Sequence, residues 1–124
     1  MPDSLIAVPD GDFRFEAEVV ARTLSARWPR ATFTAATGRL AALSAGQINV
    51  NDGAAPLALV EVDIEGQSLG IDWTGMDILA AIVAVLTDVP GFPDDGSVIL
   101  SDWALDIVPL TPHMSPDEVS SLRS

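Results

Sequence analysis

Residues Leu57–Trp73 read LALVEVDIEGQSLGIDW, and the alternation on either side of Glu65-Gly66 decides the fold. Glycine supplies the positive φ that a tight turn needs, so Glu65-Gly66 is expected to join two antiparallel strands. A tight turn there pairs Ile64 with Gln67, Val62 with Leu69, Val60 with Ile71 and Ala58 with Trp73. Side chains alternate along a strand, so these pairs share one face. The other face pairs Asp63 with Ser68, Glu61 with Gly70 and Leu59 with Asp72. One face is a core and the other is acidic. Turn chemistry and alternation point independently to the same register.

Upstream, Ser4 to Val8 reads as a short strand ended by Pro9. Asp10-Gly11-Asp12 offers a turn and an N-cap for a helix over 13–28, with Phe13, Ala17, Val20, Ala21, Leu24 and Trp28 on one stripe. Glu18 and Arg22 stand at i,i+4 on its other side. Arg30–Thr37 reads as extended, Gly38–Ser44 as either a helical turn or a loop, and Gln47–Val50 as a short strand before the Asn51-Asp52-Gly53 turn. Downstream, Thr74-Gly75-Met76-Asp77 resembles a capping box and starts a helix running to about Leu86. Its main face carries Ile78, Leu79, Ile82, Val85 and Leu86; its opposite face carries Ala80, Ala81 and Ala84 instead of charge. A helix apolar all round is either covered on both sides or presents a contact surface. After a Pro/Gly/Asp loop over 90–96, strands are expected at Val98–Leu100 and Ala104–Val108, and a last helical turn at Ser115 with Pro116 at N1 and Glu118 at N3. The expected architecture is a single two-layer α+β domain over residues 1–124. It has an antiparallel sheet of about four to six strands packed against two main helices, and a mobile tail from about residue 113.

The side-chain inventory argues for binding over catalysis. The chain has no Cys, Lys or Tyr and a single His, against eighteen Asp and Glu and a net charge of −12. Catalytic sites ordinarily combine carboxylates with His, Cys, Lys or Tyr, which serve as nucleophiles and proton carriers near neutral pH. No enzyme activity, cofactor or metal site is expected. Gly66-Gln67-Ser68-Leu69-Gly70 matches the G-x-S-x-G pattern, but a nucleophile elbow needs a helix after its turn, and here a strand continues. Asp10-Gly11-Asp12, Asp63-x-Glu65-Gly66 and Asp94-Asp95-Gly96 each place carboxylates near glycine, but none has the ligand spacing of a calcium loop. His113, between Pro112 and Met114, lacks a neighbouring nucleophile. Of the three Trp, Trp28 and Trp73 fall on core stripes. Trp103, beside Asp102 in a bend, is the one with a surface alternative, core being the better expectation for all three. The start Met1-Pro2-Asp3-Ser4 lacks the features of a secretory signal, and the longest apolar run, Ile78–Leu86, is too short to cross a bilayer. A soluble cytoplasmic protein is expected.

No Lys or Arg stands between Arg39 and Arg123. An acidic surface repels nucleic acid and anionic lipid and attracts basic proteins. The bland alternative is that the charge serves solubility alone. The expected partner is a basic protein, bound through Glu61, Asp63, Glu65 and Asp72 of the hairpin, with Asp94, Asp95, Asp102 and Trp103 as further candidates. Ala80, Ala81 and Ala84 are the candidates for self-association as a homodimer or adaptor subunit. A carboxylate-dependent hydrolase is a third alternative.

From about Leu57 onward the chain resembles a group of small, mostly uncharacterised bacterial α+β proteins. The features that carry this are Asp63-Ile64-Glu65-Gly66-Gln67-Ser68, the helix and Pro-rich loop after it, and the closing Asp106-Ile107-Val108-Pro109-Leu110-Thr111-Pro112. Leu24-Ser25-Ala26-Arg27-Trp28-Pro29 is similar as well, so that somewhat over half the chain is covered. The resemblance implies a small α+β fold and brings no catalytic motif. In style the chain is also similar to immunity proteins, which bind and block a toxin domain. That likeness implies an intracellular protein-binding inhibitor.

Overall fold

The computed structural model describes residues 4–9, 11–53, 55–102 and 107–122, without the side chains of Leu40, Met76, Asp102 and Leu122. The expectations placed on Asp10, Trp103 and residues 104–106 lie outside the described residues.

The hairpin forms in the expected register. Strands β4 (Pro56–Asp63) and β5 (Ser68–Trp73) pair Val62 with Leu69, Val60 with Ile71, Ala58 with Trp73, Glu61 with Gly70 and Leu59 with Asp72. Val60, Val62, Leu69 and Ile71 are fully buried, each contributing about 1.5–3 kcal/mol relative to exposure. Ile64 departs from the expected core face. It belongs to the turn, not the ladder, and is 48% exposed. Gly66 closes that turn at φ +72°, donating its N–H to the Asp63 carbonyl at 2.9 Å.

The sheet grows outward from this pair. On one side lie β3 (Ser44–Asn51) and the edge strand β2 (Thr32–Ala35); on the other lie β1 (Ser4–Ala7), β6 (Ile99–Asp102) and β7 (Ile107–Pro109). The order is β2-β3-β4-β5-β1-β6-β7 and every pairing is antiparallel. The described residues thus hold seven strands, where about four to six were expected. The N-terminal strand inserts between β5 and β6, which joins two sub-sheets into one. A one-residue-resolution pattern cannot announce such a long-range insertion, because each strand by itself reads only as a short apolar segment.

Among the described residues, three α-helices accompany the sheet. α1 (Ala17–Arg27) packs on β2 and β3, α2 (Met76–Leu86) on β4 and β5, and α3 (Pro116–Leu122) on α2. A 3₁₀ turn at Gly38–Ala42 precedes β3. Val20 and Leu24 of α1, Leu79, Ile82, Val83 and Leu86 of α2, and Val119 of α3 join the inward residues of the strands in one core.

α1 starts four residues later than its apolar stripe predicts. Phe15 donates its N–H to the Gly66 carbonyl at 2.8 Å and buries its ring, while Phe13 stacks edge-on against it at 5.0 Å. Docking to the hairpin turn keeps this segment extended, so the cap is Glu16, without a side-chain cap bond. No Glu18–Arg22 ion pair forms; among the described residues the ion pair is His113–Asp88. The capping box expected at Thr74 is also absent. Thr74 Oγ1 donates instead to the Leu57 carbonyl at 3.0 Å, and α2 begins after Gly75. α3 does carry a reciprocal box: Glu118 N–H donates to Ser115 Oγ at 3.2 Å, and Ser115 N–H donates to Glu118 Oε1 at 3.1 Å.

Ala80 and Ala84 are each only 4% exposed and belong to the core, while Ala81 is half-buried. Their small size lets neighbouring elements approach α2 closely. Ala80 and Ala84 are covered within the chain, while Ala81 keeps part of its surface exposed.

Candidate functional site

Among the described residues, the helices pack on one face of the sheet and none covers the other. Pairing places Thr34, Gln47, Glu61, Gly70, Leu5, Ser101 and Ile107 in one row across it, and Thr32, Asn49, Leu59 and Asp72 in the next. None of these residues is buried, whereas their neighbours Ile6, Ile48, Val60, Ile71 and Leu100 are. The exposure follows from alternation: residues one apart point to opposite faces.

Glu61, Asp63 and Asp72 lie together on β4 and β5 at this face, with Glu65 at the hairpin tip beside them. Glu61 Oε2 accepts a hydrogen bond from Gln47 Nε2 at 3.2 Å, which orients the carboxylate. Gly70 stands opposite Glu61 and has no side chain to cover it. Asp63 Oδ2 accepts the Glu65 N–H at 3.1 Å and so stiffens the turn. With the Gln67 amide oriented to satisfy both neighbours, its nitrogen donates to Glu65 Oε2 at 3.1 Å and its oxygen accepts from Arg14 Nη2 at 3.2 Å. Beside the tip, Ile64 donates its N–H to the Leu43 carbonyl at 3.1 Å, and the two apolar side chains are 48% and 73% exposed. Two exposed apolar side chains therefore stand beside the hairpin tip, with Ile64 flanked in sequence by Asp63 and Glu65.

Asp94 and Asp95 are not brought to this face; they sit in the loop between α2 and β6. Asp95 is bound by Ser97, whose side chain and N–H hold its carboxyl below the ordinary value, the N–H reaching Oδ1 at 2.9 Å. The Asp102 backbone pairs with Ser4 at the end of β6. Ser68, in the strand β5, pairs with Ala7, which is no nucleophile elbow. His113 Nδ1 lies 2.8 Å from Asp88 Oδ1 at the end of α2, both exposed. Among the described residues no three His, Asp or Glu side chains group as metal ligands. No helix among them is long and apolar enough to cross a membrane.

Sequence reasoning missed the neutral polar side of the face, formed by Thr32, Thr34, Gln47 and Asn49. The signal was present in Ser44–Asn51, where Gly46, Ile48 and Val50 alternate with Ala45, Gln47 and Asn49, but Gly46 hides the start of the pattern. Gly46 itself makes room for the Phe33 ring, since an added Cβ would meet ring atoms at 2.7 Å.

In comparison with known proteins, no family model matches the chain, and neither a curated protein nor a solved structure matches it.

Proposed function

We propose that the chain is a protein-binding inhibitor of the immunity type, which docks its open acidic sheet face onto a basic partner and blocks it by charge and shape. The observation that carries this reading is the placement of Glu61, Asp63 and Asp72 on a sheet face that none of the described helices covers, with Glu65 at the hairpin tip. Residues 40–122 contain thirteen Asp and Glu and no Lys or Arg, so these strands supply no compensating cation. A basic partner relieves the self-repulsion and is steered to this side by the field. Leu43 and Ile64 are the apolar anchors of such an interface, because apolar contacts enclosed by polar residues carry most of the affinity. Obstruction of a cationic groove, such as one that holds nucleic acid, requires no reactive side chain on the inhibitor.

The test is capture of partners on the immobilised protein at low and high salt, followed by association kinetics with Glu61→Lys/Asp63→Lys. A stoichiometric basic protein released by salt, with association slowed about tenfold or more by the double variant, is the expected result. Unchanged association of that partner with the variant removes this face from the interface.

A further inference from the structure

In the helix layer, a groove of about 350 Å³ opens between α1 and the turn that follows α2. Val19, Thr23, Val89 and Pro90 line it together with the exposed Arg14, Arg22 and Glu16. The chain has only six Arg and no Lys, so two cations at one opening are a local reversal of its charge. Neither guanidinium is neutralised: among the described residues the only ion pair is His113–Asp88. Arg14 is pinned by Nη1, which donates to the Gly11 carbonyl at 2.8 Å and to the Phe13 carbonyl at 2.7 Å. Arg22 is exposed and has no hydrogen-bond partner among the described residues. One guanidinium is held in place and the other is free to close on a guest.

We propose that this groove binds a small amphiphilic carboxylate, a short apolar chain ending in a carboxyl group. Its apolar body rests on Val19, Val89 and Pro90, and its carboxylate lies between Arg22 and the remaining N–H donors of Arg14. A guanidinium matches a carboxylate in charge and in its two-pronged geometry. The volume stands near the lower end of small-molecule sites, which run from about 300 to 1,000 Å³. Two sources carry this chemistry, a free short-chain acid and the C-terminal carboxylate of a peptide ending in an apolar residue.

Hexanoate and N-acetyl-leucyl-valine are the probes, each against its neutral amide, titrated into the ¹⁵N-labelled protein. Saturable amide shifts at Val19, Arg22, Thr23 and Val89 are expected with a carboxylate, and about tenfold or greater weakening with its amide. Arg22→Gln is expected to give the same loss at an unchanged thermal midpoint, because Arg22 makes no contact that folding needs. Tighter binding of hexanoate identifies a free acid as the ligand class, and tighter binding of the dipeptide identifies a chain terminus; either supports the site. Absence of shifts with both carboxylates, or equal binding by the amides or by Arg22→Gln, overturns it.

Discussion

Gly66 joins two parts of the molecule that are far apart in sequence. At φ +72° it occupies a region costly for any side chain, and an added Cβ would stand 2.5 Å from the Phe15 carbonyl oxygen. Gly66→Ala is therefore expected to cost about 1–3 kcal/mol or more, read as a lower urea midpoint. A variant as stable as the parent would show that this contact relaxes freely. Asp95 tests a second local arrangement. Its carboxyl is held below the ordinary value of 3.8 by the Ser97 side chain and N–H. A depressed folded value means that the stabilisation is present above the ordinary value and is lost as pH falls through the lower folded one. Ser97→Ala removes the larger cause, so the Asp95 midpoint, followed by carboxyl NMR, is expected to move up; no movement would assign the depression to the backbone N–H alone.

Among the elements, the helices show which local signals survive tertiary packing. Ser115 and Glu118 form their box because α3 projects its first turn outward, and nothing competes for the Ser115 hydroxyl. Ser115→Ala is expected to cost about 1 kcal/mol, with faster hydrogen exchange at Val119; unchanged exchange would mean that the packing of Val119 alone holds the helix. Thr74 shows the opposite outcome, since the Leu57 carbonyl captures its hydroxyl. The late start of α1 has a similar reason: the Phe13 ring packs on Phe15 and Phe92, and the Phe15 backbone docks on the hairpin turn instead of joining a helix. On α2, Ala84 lies in contact with packed neighbours, so Ala84→Leu is expected to overpack the core at a cost of about 1–3 kcal/mol. A stability equal to the parent would indicate spare room beside this helix.

For the whole molecule, the net charge of −12 acts against folding, because like charges are drawn together in the native state. Raising ionic strength from about 0.01 to 1 M shortens the screening length from about 30 to 3 Å, so the thermal midpoint is expected to rise with NaCl. A flat or falling midpoint would show that attractive pairs offset the repulsion. The same excess supports the proposed inhibitor role, since a basic partner and added salt relieve one stress. Sequence alone determined the hairpin register, the acidic outer face of β4 and β5, and the helical turn that starts after Ser115. In each, the deciding interactions lie within a few residues or follow a fixed period. Only the tertiary structure decided that β1 enters the middle of the sheet, that Ala80 and Ala84 are covered, that Gln47 reaches Glu61, and that Arg14 and Arg22 share one groove. Those outcomes depend on contacts between distant segments, where the free energy of burial and hydrogen bonding outweighs local preference and leaves no periodic trace in the chain.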